Sequence, residues 1–115
     1  MNCRRGDIVL VLFPDSNLRT SKRRPALVVQ ADQLASGLPQ TIVAMITSNM
    51  SRAGHPSRVT VQVAGQGSNG SGLLTDSVIM TDNLATVRYS EIDRVIGTFP
   101  ESAEVNAALR ISLAL

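Results

Sequence analysis

The stretch SKRRPALVVQ, residues 21–30, places three consecutive basic side chains directly before a proline and a short apolar run. Pro25 has no N–H and biases Arg24 toward an extended backbone, so the sequence predicts a loop that delivers Arg24 to the start of a strand. Residues 26–29 are apolar and partly β-branched, which is typical of a buried strand. A guanidinium fixed there suits phosphate, because it is planar, forked and permanently charged. A solvated charge cluster on an edge loop explains the same residues equally well.

Outward from this stretch, the sequence predicts a mainly β chain that ends in one helix. Strands are expected at residues 6–13, from 26 to about 30, and at 41–47, 57–63, 77–81, 85–89 and 95–99. The segment 85–89 either continues the 77–81 strand or forms a separate one. One helical turn is expected at 32–37. From Pro100 onward, apolar residues recur at helical spacing: Val105, Ala108, Leu109 and Leu113. Short, closely spaced strands without alternating helices predict a small antiparallel barrel with a C-terminal helix. The length of 115 residues suits a single domain over residues 1–115.

The charge of the chain is unevenly distributed. Residues 1–60 hold eight Arg and Lys against three Asp, whereas residues 61–115 hold three Arg against six Asp and Glu. Ten of the eleven cations are arginines, which favours specific phosphate contacts over a diffuse positive field. The positive half therefore predicts a polyanionic partner. Because the aromatic residues are only two Phe and one Tyr, a base-stacking platform is not expected.

Composition also restricts the compartment and the cofactors. No apolar run reaches the roughly 18 residues that a membrane span needs, and charged residues at positions 4, 5 and 7 stand where a signal peptide would be apolar. We therefore expect a cytoplasmic protein without membrane contact. A single cysteine, Cys3, and a single histidine, His55, give no disulfide and no zinc spacing, so neither a metal nor a cofactor is predicted.

The end of the third predicted strand, Thr47-Ser48-Asn49, carries three hydrogen-bonding side chains. Ordinary capping of a strand end explains them on their own. If the second and third strands are antiparallel neighbours, however, Arg24 and Thr47 share one edge of the sheet and can both address one phosphate. His55 lies with Arg52 in a polar loop, where a solvated histidine is common and contact with a phosphate is the alternative.

Several segments together resemble one known family. They are residues 5–9 (RGDIV), 22–30 (KRRPALVVQ), 44–49 (AMITSN), 76–79 (DSVI) and the C-terminal helix. Their order and spacing, over nearly the whole chain, are similar to those of the MazF/PemK toxins. The Arg-Pro strand followed by the Ile-Thr strand end is the most specific combination.

This resemblance implies the toxin of a type II toxin–antitoxin system with an SH3-like barrel. It implies a homodimeric, metal-independent and sequence-specific endoribonuclease that cleaves single-stranded RNA, above all messenger RNA. The products would carry a 2′,3′-cyclic phosphate and a 5′-hydroxyl. The implied partners are this RNA and a cognate antitoxin, with DNA reached only indirectly through the toxin–antitoxin complex. The apolar strand at residues 77–80 and the terminal helix are candidates for the dimer interface or, equally, for the core.

Carried over residue by residue, the resemblance implies catalytic roles for Arg24 and Thr47. The expected RNA-binding residues surround these two in the sequence: Arg19, Ser21, Lys22, Arg23, Ser48, Asn49, Arg52 and His55. Many relatives carry a carboxylate shortly before the Arg-Pro pair, whereas residues 17–22 contain none, so the resemblance identifies no general base. The alternative is a non-enzymatic toxin on the same barrel, similar to the CcdB gyrase poisons.

Overall fold

Six antiparallel strands and one helix make up the fold. The computed structural model describes residues 3–14, 17, 19–63, 70–100 and 102–115, apart from the side chains of Pro14 and Ser21. The strands are β1 (Asp7–Pro14), β2 (Ser21–Val28), β3 (Gln40–Thr47), β4 (Arg58–Val61), β5 (Ser77–Arg88) and β6 (Ile92–Thr98). Two 3-10 helices, Met50–Arg52 and Tyr89–Glu91, precede β4 and β6, and helix α1 spans Ser102–Leu113.

All six strands belong to one sheet with the order β4-β5-β3-β2-β1-β6. Every described pairing is antiparallel. The predicted fold class, a mainly β chain with a C-terminal helix, is confirmed. Over the described residues the sheet is open rather than closed, because its edge strands β4 and β6 are not bonded to each other.

Both faces of the sheet carry apolar residues. Alternate residues of a strand point to opposite faces, so each strand contributes to both. One face packs against α1 and includes Ile8, Leu27, Ala44, Ile46 and Ile79 from the sheet with Val105 and Ala108 from the helix. The other face holds a second buried cluster: Val9, Val11, Ala26, Val28, Val43, Met45, Val87 and Ile92. Burial on both sides explains why the central strands read as continuous apolar runs.

Several boundaries differ from the sequence-based expectation. Strand β2 begins at Ser21, so the basic run at residues 22–24 lies inside the strand and not in a loop. The physical reason is that backbone bonding to β1, which extends from Leu27 back to Ser21, does not require apolar side chains. The helical turn predicted at 32–37 is wrong, because Gln33 and Ala35 have positive φ angles of 57° and 54°.

The C-terminal half follows the prediction more closely. Strand β5 is continuous from Ser77 to Arg88, which favours one strand over two. The helix is confirmed, with Val105 and Ala108 buried as its spacing indicated. Val78 and Ile79 are fully buried within the chain, so these two residues of the 77–80 strand belong to the core.

The hydrogen-bond ladder between β2 and β3 ends early. Its last bridge joins Ala26 to Met45, although both strands continue beyond it. The N–H of Val29 donates to the carbonyl of Ile42 at 3.0 Å, and the same register brings the nitrogen of Pro25 opposite the carbonyl of Ile46. Because Pro25 has no N–H, this bond cannot form. Past the break, β2 stays bonded to β1 and β3 to β5, which leaves an opening between them.

Candidate active site

The opening beside Pro25 is part of a groove of about 680 Å³, called the main groove here. It is lined by Leu10, Arg23, Arg24, Pro25, Met45, Ile46, Thr47, Ser48, Gly72, Leu73, Leu74, Thr75, Ser77, Met80, Asn83, Arg94 and Ile96. These described lining residues include three arginines and no carboxylate. The main groove therefore favours an anionic ligand with apolar parts.

Arg24 lies in the main groove opposite Thr47. The β2–β3 register, continued two residues past its last bridge, pairs these two positions, so their side chains emerge on the same face of the sheet. Arg24 is exposed and makes no hydrogen bond or ion pair with any described residue. Its donors are therefore available to a ligand.

The hydroxyl of Thr47 is oriented by the turn that follows it. Its Oγ1 accepts a hydrogen bond from the backbone N–H of Asn49 at 3.1 Å. This acceptor role leaves the hydroxyl hydrogen free to donate into the main groove. Asn49 itself caps the 3-10 helix, because its Oδ1 accepts from the N–H and the Oγ of Ser51 at 3.1 and 2.7 Å. Ser48 is exposed and lines the main groove beside Thr47.

A second groove of about 420 Å³ continues from Thr47. The two grooves share three lining residues: Thr47, Met80 and Asn83. The second groove adds Asn49, Arg52, Arg58 and Asp82. A continuous surface therefore leads from Arg24 past Thr47 to Arg52, and a chain-like ligand can follow it.

An ion pair fixes the 3-10 helix beside the second groove. Arg58 donates to both carboxylate oxygens of Asp82, from Nη2 at 2.7 Å and from Nε at 3.2 Å. Its Nη1 also donates to the carbonyl of Arg52 at 3.1 Å. The hydrogen bond from Arg58 lowers the pKa of Asp82 below its ordinary value, and the same bond raises the pKa of Arg58. Arg58 thus links β5 to the turn that presents Arg52.

The structure brings only part of the predicted RNA-binding set together. Arg23, Ser48, Asn49 and Arg52 line the two grooves, but the Nε of Arg23 donates to Oδ2 of Asp93 at 3.0 Å. Exposed Arg19 and Lys22 lie outside both linings, and the side chain of Ser21 falls outside the described part of the chain.

His55 is also outside both grooves. Its Nδ1 accepts from the N–H of Ser57 at 3.1 Å and lies 2.7 Å from the Oγ of the same serine. These contacts make Nδ1 an acceptor and place the ring proton of the neutral form on Nε2. The ring therefore stabilises its own loop.

The sequence analysis missed Arg94, Asn83 and the loop at residues 72–75, all of which line the main groove. Arg94 is brought there by the pairing of β6 with β1, and no local pattern signals that pairing. In the parts of the chain that the structure describes, no group of three or more His, Cys, Asp or Glu side chains could hold a metal ion. None of the described helices is both long and apolar enough to cross a membrane.

Comparison with known proteins identifies the family. The model of the PemK-like, MazF-like toxins of type II toxin–antitoxin systems matches residues 4–113. Endoribonuclease MazF2 of Mycobacterium bovis is 35% identical over 102 residues, covering 86% of this chain and 85% of that protein. Endoribonuclease MazF of Staphylococcus epidermidis is 31% identical over 115 residues, covering 97% and 92%.

Solved structures give the same fold. An endoribonuclease from a mycobacterial species, in complex with its cognate antitoxin, superposes with a TM-score of 0.74 at 21% identity over 99% of this chain and 97% of that one. The Mycobacterium tuberculosis toxin MazF-mt6 gives a TM-score of 0.72 at 24% identity, over 95% and 97%. Because the family model and these relatives match nearly the whole length of the chain, the chain belongs to the PemK/MazF toxin family of type II toxin–antitoxin systems.

Proposed function

We propose that this toxin is a sequence-specific endoribonuclease that cleaves single-stranded RNA, above all messenger RNA, without a metal ion. The observation that carries the proposal is that Arg24 and Thr47 line one groove beside the broken β2–β3 ladder, with the Arg24 guanidinium unpaired among the described residues. The relatives named above are endoribonucleases, which supports the same activity. The comparisons give no support to the gyrase-poison alternative.

The reaction needs only the RNA and well-placed donors. The ribose 2′-oxygen forms a bond to the adjacent phosphorus, the bond from phosphorus to the 5′-oxygen breaks, and the products are a 2′,3′-cyclic phosphate and a 5′-hydroxyl. The 2′-hydroxyl loses its proton and the leaving oxygen gains one. Arg24 donates two hydrogen bonds to the crowded dianionic phosphorane and Thr47 donates a third. The guanidinium of Arg24 has five N–H donors and no acceptor, so it does not take the 2′ proton.

The first test is cleavage of a long single-stranded RNA in excess EDTA. Wild-type protein should give discrete fragments, and Arg24→Ala should lower the rate at least about a hundredfold, since one such donor is commonly worth that much. Arg110→Ala removes an exposed arginine of α1 and should leave the rate unchanged. DNA of the same sequence should stay intact, because it lacks the 2′-hydroxyl.

Intact RNA with wild-type protein across several varied sequences would overturn the nuclease. Gyrase-dependent DNA breakage in the same preparation would then support the CcdB-like alternative.

We further propose that the toxin acts in the cytoplasm as a homodimer of a single 115-residue domain and that a cognate antitoxin neutralises it, with DNA contacted only through that complex. One structural relative is a complex of an endoribonuclease with its cognate antitoxin, which supports an antitoxin as a partner of this toxin. Sedimentation velocity should give twice the chain mass of 12.3 kDa. A species at the monomer mass across micromolar concentrations would contradict the dimer.

A further inference from the structure

Arg94 lines the main groove together with Arg24 and Thr47. It lies on β6, where it pairs with Leu10 of β1, and its side chain is exposed. No described residue forms a hydrogen bond or ion pair with it. Strand β1 separates β6 from β2, so Arg94 and Arg24 are about two strand spacings, roughly 10 Å, apart at the backbone.

A bulge next to Arg94 gives one of the three arginines of the main groove a carboxylate partner. Leu10 pairs with Arg94 and Val11 with Ile92, so Asp93 has no partner on β1. Asp93 instead accepts from Arg23, with Nε and Oδ2 3.0 Å apart. Arg23 is thereby paired with a carboxylate, whereas no described residue forms an ion pair with Arg94 or Arg24. Bulges beside binding sites commonly change the direction in which a neighbouring side chain points.

An exposed arginine on an edge strand has a simpler explanation, because such cations keep sheet edges from pairing with other chains. Two observations point beyond it. Arg94 lines the groove that holds Arg24 and Thr47, and no carboxylate among the described lining residues competes for it. An edge cation needs neither property.

We propose that Arg94 is a substrate-binding residue. It binds a phosphate of the RNA strand that is not cleaved and that lies next to the phosphate at which cleavage occurs. The proposal rests on the proposed function. A contact to a non-reacting phosphate is present in both the bound substrate and the transition state. Its loss therefore raises KM and leaves kcat nearly unchanged. Arg24, in contrast, acts on the reacting phosphate, and its loss lowers kcat.

The direct test is binding of a 2′-O-methyl RNA strand, which lacks the attacking hydroxyl. Fluorescence anisotropy measures this binding over a range of salt concentrations. Arg94→Gln should weaken binding about tenfold, as expected for a lost charge-assisted hydrogen bond. The slope of log K against log salt should fall by about 0.7, the value for one phosphate of a single strand. Arg94→Lys should restore the salt slope. Arg110→Gln, which removes the same charge from α1, is the matched control.

Cleavage kinetics separate the substrate-binding role of Arg94 from a role at the reacting phosphate. With Arg94→Gln, KM should rise about tenfold and kcat should stay within about twofold of wild type. Equal behaviour of Arg94→Gln and Arg110→Gln in affinity and salt slope would overturn the proposal. If wild-type protein cleaves no RNA, the proposed function fails, but the binding titration still decides the role of Arg94.

Discussion

At the scale of single residues, two glycines determine how closely the loop before β5 approaches β6. A Cβ on Gly72 would lie 2.1 Å from the carbonyl oxygen of Ile96, and a Cβ on Gly97 would lie 2.3 Å from the carbonyl carbon of Ser71. The N–H of Thr98 also donates to the carbonyl of Gly70 at 2.8 Å. This contact seats the loop that carries Leu73 and Leu74 on the main groove.

Replacement of Gly72 should therefore destabilise the protein more than its φ angle alone explains. Gly72→Ala combines a φ of +73° with the clash and should lower the free energy of unfolding by about 3 kcal/mol. Gly54→Ala, at a φ of +89° with open space around the new Cβ, should cost only about 1 kcal/mol. Urea unfolding of the two variants measures the difference, and equal losses would show that the contact with β6 contributes nothing.

The same scale shows what could be predicted from sequence. Arg24 and Thr47 lie on strands that are consecutive in the chain, and such strands commonly pair, so their proximity could be inferred. Arg94 could not be inferred, because β6 pairs with β1 across almost the full length of the chain. The sequence also did not indicate that Lys22 to Arg24 form a strand, because runs of charged residues are typical of loops. The backbone hydrogen bonds that make these residues a strand do not depend on the side chains.

At the scale of elements, the site depends on places where regular pairing stops. Pro25 ends the β2–β3 ladder, and the carbonyl of Ile46 opposite it is left without that donor. The bulge at Asp93 interrupts β6 beside Arg94. The main groove therefore lies where the β2–β3 ladder stops, with the irregular part of β6 along its lining.

The pair Arg58–Asp82 connects two elements and should make stability depend on pH. Because the pKa of Asp82 is lowered on folding, the pair stabilises the protein above the ordinary Asp pKa of about 3.9. This contribution is lost as the pH falls through the lowered folded-state value. A double-mutant cycle with Arg58→Gln and Asp82→Asn, followed by thermal unfolding, should show coupling at neutral pH that disappears in strong acid. Coupling of the same size at both pH values would contradict this account.

At the scale of the whole molecule, helix α1 ties the two ends of the chain to the sheet. Arg5 donates from Nη2 to Oδ1 of Asn106 at 2.7 Å and from Nε to the carbonyl of Val29 at 2.9 Å. The hydroxyls of Thr81 and Ser112 are 2.8 Å apart at the other end of the helix. Between these contacts, Val105 and Ala108 are buried against the core.

Two helix variants should therefore differ in stability. Val105→Ala removes buried methyl groups and should lower the free energy of unfolding by about 2 kcal/mol. Ile111→Ala, at a side chain that is 59% exposed, should change it by less than about 0.5 kcal/mol. Denaturant titrations at several protein concentrations provide the measurement. A loss for Ile111→Ala as large as that for Val105→Ala would show that the exposed end of α1 is buried against a second copy.

The pairing of β1 with β6 also has a consequence for synthesis on the ribosome. Asp7 is added to the chain well before its partner Thr98. A nascent chain that already carries Arg24 and Thr47 thus still lacks the wall that contains Arg94 and Ile96. Fragments that end before β6 lack the same two lining residues. The order of synthesis therefore delays the completed groove until β6 has been made.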